Sequence, residues 1–197
     1  MKKQKEALKF MKRFSFATII STSNNFPTAT HLPFLTSVRE DKIILTSHFA
    51  RANSQWQLIE QNNSLVIFTE PHAYISPINY EKELNVPTWN YMSVHAYGKG
   101  KIINDENEVR RVLEMTIDFY EQNYQKQWSN LPEEYKNKLS NGIVAFEIEV
   151  NDLQGKKKLS QNRSAIEQET IINSLSKSEH GSEKLIAEYM KEIRDHT

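Results

Sequence analysis

Residues 17–47 read ATIISTSNNFPTATHLPFLTSVREDKIILTS, and the fold follows from how that stretch is divided. Residues 17–22, 28–35 and 43–47 are rich in β-branched and small hydroxyl side chains, the types that suit a pleated, half-buried surface. Asn24-Asn25 and Glu40-Asp41 stand between the runs as turn signals, so the spacing predicts short strands folded back on one another. The same signal returns at 65–69, 73–76 and 88–97, and IVAFEIEV at 143–150 alternates with period two. Pro71, Pro77 and Pro87 confine the middle runs to strand edges or starts. Gly98 and Gly100 mark a bulge or bend. About seven strands with helices interspersed predict an antiparallel barrel.

Helical spacing frames these strands. Ala7, Phe10, Met11 and Phe14 share one face of a short N-terminal helix whose lysines face water. Asn53 can cap a helix running to Gln61. Asp105 and Glu108 form a capping box for the longest helix, striped by Val109, Val112, Leu113, Thr116 and Tyr120. A helix from Pro132 ends near Gly142, a residue suited to the left-handed position after a helix. A turn is expected at 153–155. Ser164 and Glu167 open another helix, and a last one follows Ser182 after a polar joint at 174–182. With 197 residues, the chain reads as a single α+β domain over 1–197, with a helical part from about 164 onward.

Composition narrows the function classes. Lysine plus arginine and aspartate plus glutamate number 25 each, so no net field draws the molecule to nucleic acid or an anionic membrane, and any anion site is local. The absence of cysteine excludes disulfides, thiolate zinc sites and a cysteine nucleophile, and it fits a reducing, cytoplasmic address. Charges interrupt every apolar run before bilayer length, and residues 1–14 lack the apolar core of a secretory signal.

Five segments are richer in polar and aromatic residues than a core strand requires: THLPF at 30–34, SHFARANSQW at 47–56, EPHAYISP at 70–77, VPTWNYMSVHAYG at 86–98 and GKKKLSQNR at 155–163. In the second, a strand end, an arginine and a helix start follow one another, so backbone N–H groups and the Arg51 guanidinium could meet one phosphate. The plainer alternative is a surface ion pair. Neither GxxxxGKS nor GxGxxG occurs, which favours a mononucleotide over a triphosphate or dinucleotide. His31, His48, His72 and His95 could approach one another across strands, yet no HxH or HExxH spacing supports a metal centre. No GxSxG turn supports a serine hydrolase.

Taken together and in this order, the five segments closely resemble the signature blocks of the PaiB family, the FMN-binding negative transcriptional regulators, over residues 15–175. The resemblance implies a mainly antiparallel FMN-binding split β-barrel with peripheral helices and a C-terminal helical segment, normally a homodimer with FMN near the subunit interface. Carried over residue by residue, it puts His31, His48, Arg51, Asn53 and Trp56 on the flavin side, with Arg51 for the phosphate. It gives Thr88, Trp89 and Asn90 as hydrogen-bond donors and an aromatic wall for the ring, and Lys158, Gln161 and Asn162 as the residues of its KxKLSQN block. Strand alternation points Lys158 inward and leaves Lys156 and Lys157 as a solvated tip. The chain departs from the family at Ser54, where a proline is common, and at Ile78-Asn79-Tyr80, where the family carries an SWY-like end.

The function that follows is an FMN-binding regulatory protein, of a family that acts on sporulation and degradative enzymes, with no catalytic residue identified. Two alternatives keep the barrel: a flavin-dependent oxidoreductase like pyridoxamine phosphate oxidase, and a haem protein using a pocket histidine. Direct DNA contact finds no support in net charge and would need a local basic groove.

Overall fold

In the computed structural model, which describes residues 2–195, the fold is α+β with a mainly antiparallel sheet, as the sequence implies. Seven strands, β1 (Phe16–Ser23), β2 (Phe26–Pro33), β3 (Leu35–Arg39), β4 (Lys42–Ala50), β5 (Asn63–Ile75), β6 (Thr88–Ile102) and β7 (Ile143–Lys158), lie in the order β2-β1-β5-β6-β7-β4-β3. Six helices accompany them: α1 (Lys2–Arg13), α2 (Glu106–Tyr120), α3 (Gln125–Asn130), α4 (Glu133–Asn141), α5 (Ala165–Ser176) and α6 (Gly181–Arg194). The two turn signals are hairpins in which both central residues take positive φ, Asn24 and Asn25 at 50° and 62°, Glu40 and Asp41 at 50° and 60°. That left-handed pair matches the twist of the flanking strands, which is why asparagine and aspartate serve there. The register that follows pairs Ile19 with Thr30 and Leu45 with Thr36.

Several local expectations are corrected. The runs at 65–69 and 73–76 belong to one strand, β5, which passes through Pro71 on a cis Glu70–Pro71 bond. No turn interrupts 153–155, and β7 continues to Lys158. Gly98 and Gly100 lie inside β6 without ending it. Gly98 is there for space: a Cβ would sit 2.2 Å from the Glu149 carbonyl oxygen. Gly142 closes α4 at φ −78°, a right-handed cap, because its N–H reaches the carbonyls of Lys138 and Leu139. Instead of a helix to Gln61, one 3-10 turn spans Ser54–Gln57, capped by Asn53 as expected.

The chain divides into two compact units, Met1–Phe68 with His95–Gln154, and Thr69–Val94 with Gly155–Thr197. In the first, Phe49 stacks on Phe146 at 4.8 Å and Phe34 meets Phe68 and Phe146 edge-on, a cluster of fully buried rings closed by Ile19, Leu45 and Ile148. Each buried ring contributes about 2 kcal/mol by area, and the tilted contacts add specificity. The second unit packs α5 and α6 through Ile171, Ile172, Leu175, Ile186 and Met190, with Ala73, Ile75 and Met92 also buried. Ser164 and Glu167 form the expected reciprocal capping box at the start of α5.

Candidate functional site

The expected site residues fall into two groups, one in each unit, and each group is described by itself. In the first unit the THLPF and ARANSQW segments meet, but through Thr30 and not through His31. The Thr30 hydroxyl donates to Gln55 Oε1 at 2.6 Å and accepts from Asn53 Nδ2 at 2.9 Å. Alternation along β2 turns His31 to the opposite face, where it lies exposed with its ring 6.3 Å from that of Phe16. Gln55, which the sequence did not single out, is the hub: 1% exposed, it donates from Nε2 to Ile19 O, Thr28 O and Ser21 Oγ, each within 3.2 Å. Asn53 Oδ1 accepts from Gln55 N at 3.0 Å, so the turn is stitched to both strands of the first hairpin.

Arg51 caps a helix. Its backbone N–H reaches Gly142 O at 2.9 Å, Nε reaches Asn141 O and Nη2 reaches Ile143 O, both at 2.7 Å. A cation on the last carbonyls of α4 is favoured by their unpaired lone pairs and by the helix dipole. No partner of Nη1 is found among the described residues. Trp56, half-buried, donates from Nε1 to Arg51 O at 3.2 Å, which fixes the indole over the same turn.

His48 lies on β4 opposite Ala145 of β7, and burial pushes its imidazole below the ordinary 6.5. The neutral ring is what the fold accommodates. Stability from this site is therefore fully present above about pH 6.5 and is lost as pH falls through the lower folded value, because the unfolded chain then binds the extra proton. The urea midpoint is expected to drop between about pH 7.5 and about pH 5, and His48→Gln to flatten that drop. An unchanged slope in the variant would refute the assignment.

In the second unit the TWN and KKKLSQN segments, 70 residues apart in the chain, meet twice. Lys158 Nζ donates to Thr88 Oγ1. Asn90, fully buried, donates from Nδ2 to Ser160 Oγ at 3.0 Å and accepts from that hydroxyl at 3.1 Å. Ser160 holds a left-handed φ of 57°. Gln161 secures the turn around it by accepting from Leu159 N and donating to Lys157 O. Asn90 and Gln161 are thus framework, whereas Asn162 is exposed. Thr88 and Asn90 share one face of β6, and alternation puts Trp89 on the other. The three residues do not line one wall.

The half-buried Lys158 ammonium has the Thr88 hydroxyl as partner and no carboxylate among the described residues. Such a cation is suited to an anionic ligand group, phosphate or an ionised ring edge, and the donors present fit a mononucleotide of that kind.

A family model described as "Putative FMN-binding domain" matches residues 1–152. The chain is 37% identical over 190 residues to the protease synthase and sporulation protein PAI 2 of Bacillus subtilis (strain 168), an alignment covering 95% of this chain and 91% of that one. Among solved structures it resembles the FAD and heme binding protein from Mycobacterium smegmatis, with a TM-score of 0.63 at 12% identity over 84% of this chain and 76% of that one. It also resembles the flavocytochrome Anf3 from Azotobacter vinelandii, with a TM-score of 0.60 at 16% identity over 77% and 66%. At such identities the two structures speak to the fold alone.

Proposed function

Because the chain belongs to the FMN-binding domain family, the PaiB-like group that its sequence blocks resemble, we propose that it is an FMN-binding regulatory protein. The observation that carries this reading is the pairing of Thr88 with Lys158 beside Asn90 with Ser160. Two segments remote in sequence converge there on an ammonium whose partner among the described residues is a hydroxyl. FMN supplies one- and two-electron chemistry when bound. Lys158 would hold a negative group of the ligand, and Thr88 orients the ammonium by accepting a hydrogen bond from it. Asn90 and Gln161 keep the turn in place, and Asn162 is free to donate to the ligand. In the first unit, taken by itself, Asn53 and Gln55 fix the turn that carries Arg51 and Trp56, and these two with His48 are the residues the family blocks give to the flavin side. His31 serves this reading least, since it faces away from that turn.

The regulatory part rests on the similarity to PAI 2. A cytoplasmic homodimer is the assembly we infer, in keeping with the exposed Ile78, Leu84 and Val86 of the 76–87 segment, apolar side chains 85%, 97% and 72% accessible.

Titration of FMN with the protein, followed by flavin fluorescence, is expected to show saturable quenching. Lys158→Ala should weaken binding about tenfold through loss of a charged hydrogen bond. Arg51→Ala is the poorer probe, because it also uncaps α4. Wild-type protein that leaves FMN fluorescence unchanged at every concentration would overturn the reading.

A further inference from the structure

Trp89 stands on the face of β6 opposite Thr88 and Asn90, and 52% of it remains in solvent. Two rings from β5 flank it: Tyr74 at 5.7 Å between centroids with the planes at 71°, and His72 at 6.0 Å and 52°. Neither lies parallel to the indole, so both brace it without covering it as a stacked partner would. Alternation along β5 sets His72 and Tyr74 outward, with Ala73 and Ile75 buried behind them at 1% and 0%. The strand is pinned at this point, because the Ser182 hydroxyl accepts from His72 N at 2.8 Å and donates to His72 O at 2.7 Å. The result is a rigid aromatic wall, backed by core and open in front.

We infer that the His72–Tyr74–Trp89 wall is a stacking subsite for an electron-poor planar heteroaromatic ring, separate from the Thr88–Lys158 group on the other face of β6. The indole face is the electron-rich partner in such a stack, so an oxidised nicotinamide ring suits it better than aliphatic or electron-rich groups. Because bracing fixes the indole beforehand, little side-chain freedom is lost on binding. Tyr74 acts as a positioning residue through its ring edge, and its hydroxyl is not required.

Nicotinamide mononucleotide in its oxidised form, FMN and ribose 5-phosphate serve as probes, with binding read by equilibrium dialysis and by tryptophan emission. Trp128 is buried and Trp56 half-buried, so quenching that persists in Trp56→Phe and disappears in Trp89→Leu reports Trp89. Saturable quenching by nicotinamide mononucleotide and none by ribose 5-phosphate is expected. Trp89→Leu should weaken that ring's binding about tenfold, the scale of one stacking contact, with Trp89→Phe retaining most of it. Tyr74→Ala should weaken it and Tyr74→Phe should not.

The arms separate this inference from the flavin reading. If FMN binds wild type and Trp89→Leu equally and nicotinamide mononucleotide binds neither, the subsite is refuted while the flavin reading stands. If the nicotinamide ring binds through Trp89 and FMN binds nowhere, the subsite stands and the flavin reading falls. Equal affinity of every probe for wild type and Trp89→Leu overturns the subsite outright.

Discussion

Gln55→Leu is expected to lower the stability of the protein by about 4 kcal/mol, since each buried polar group it strands costs roughly 1–3 kcal/mol. Leucine is close to glutamine in volume, so packing changes little, but Ile19 O and Thr28 O lose the Gln55 donor and the Thr30 hydroxyl loses its acceptor in a place where Gln55 is 1% exposed. Water has little room to replace it. The comparison of urea midpoints for wild type and variant measures the effect, and a loss below about 1 kcal/mol would show that the network relaxes without its hub. Asn53 would lose its place in the same change, because its amide holds the Thr30 hydroxyl that Gln55 accepts from. The turn carrying Arg51 and Trp56 should therefore loosen beyond what the stability figure records.

Gly98→Ala is the second large effect. The new methyl would meet the Glu149 carbonyl oxygen at 2.2 Å and the Ile148 side chain at 2.6 Å. A main-chain oxygen cannot rotate aside as a side chain can, so β6 and β7 must separate locally, and overpacking of this kind costs about 3 kcal/mol. Gly100→Ala offers the internal contrast. Its Cβ would meet Ile59 Cβ at 2.8 Å, Cγ1 at 2.9 Å and Cδ1 at 3.0 Å, a shallower overlap that falls on carbon and not on a main-chain oxygen, although the buried Ile59 Cβ must shift with its backbone. A melting-temperature loss on the order of 6–12 °C for Gly98→Ala and a clearly smaller one for Gly100→Ala is expected, and equal losses would contradict the argument.

Those two residues show where sequence reading stops. Local chemistry was legible: Asn24-Asn25 and Glu40-Asp41 announced the hairpins, since asparagine and aspartate tolerate positive φ and Glu40 takes it beside Asp41, and Ser164 with Glu167 announced α5 because the capping box lies within four residues. The close approach at Gly98 was not, since it depends on a strand 50 residues away in the chain. Gln55 passed unnoticed because one glutamine on a turn looks solvated until two strands close over it. Among the site segments, two of the family blocks meet in space, Thr88 with Lys158 and Asn90 with Ser160. A block nevertheless gathers neighbours in sequence, and neighbours on a strand face opposite ways. TWN therefore reads as one wall on paper while Trp89 looks away from Thr88 and Asn90.

The Arg51 clasp carries a consequence for substitution. Its three contacts all end on main-chain oxygens, at Asn141, Gly142 and Ile143. A guanidinium that recognises only the path of the backbone makes no demand on which side chains occupy those positions. Changes of side chain at 141 and 143 are therefore expected to leave the clasp in place, whereas replacing Arg51 removes both guanidinium contacts.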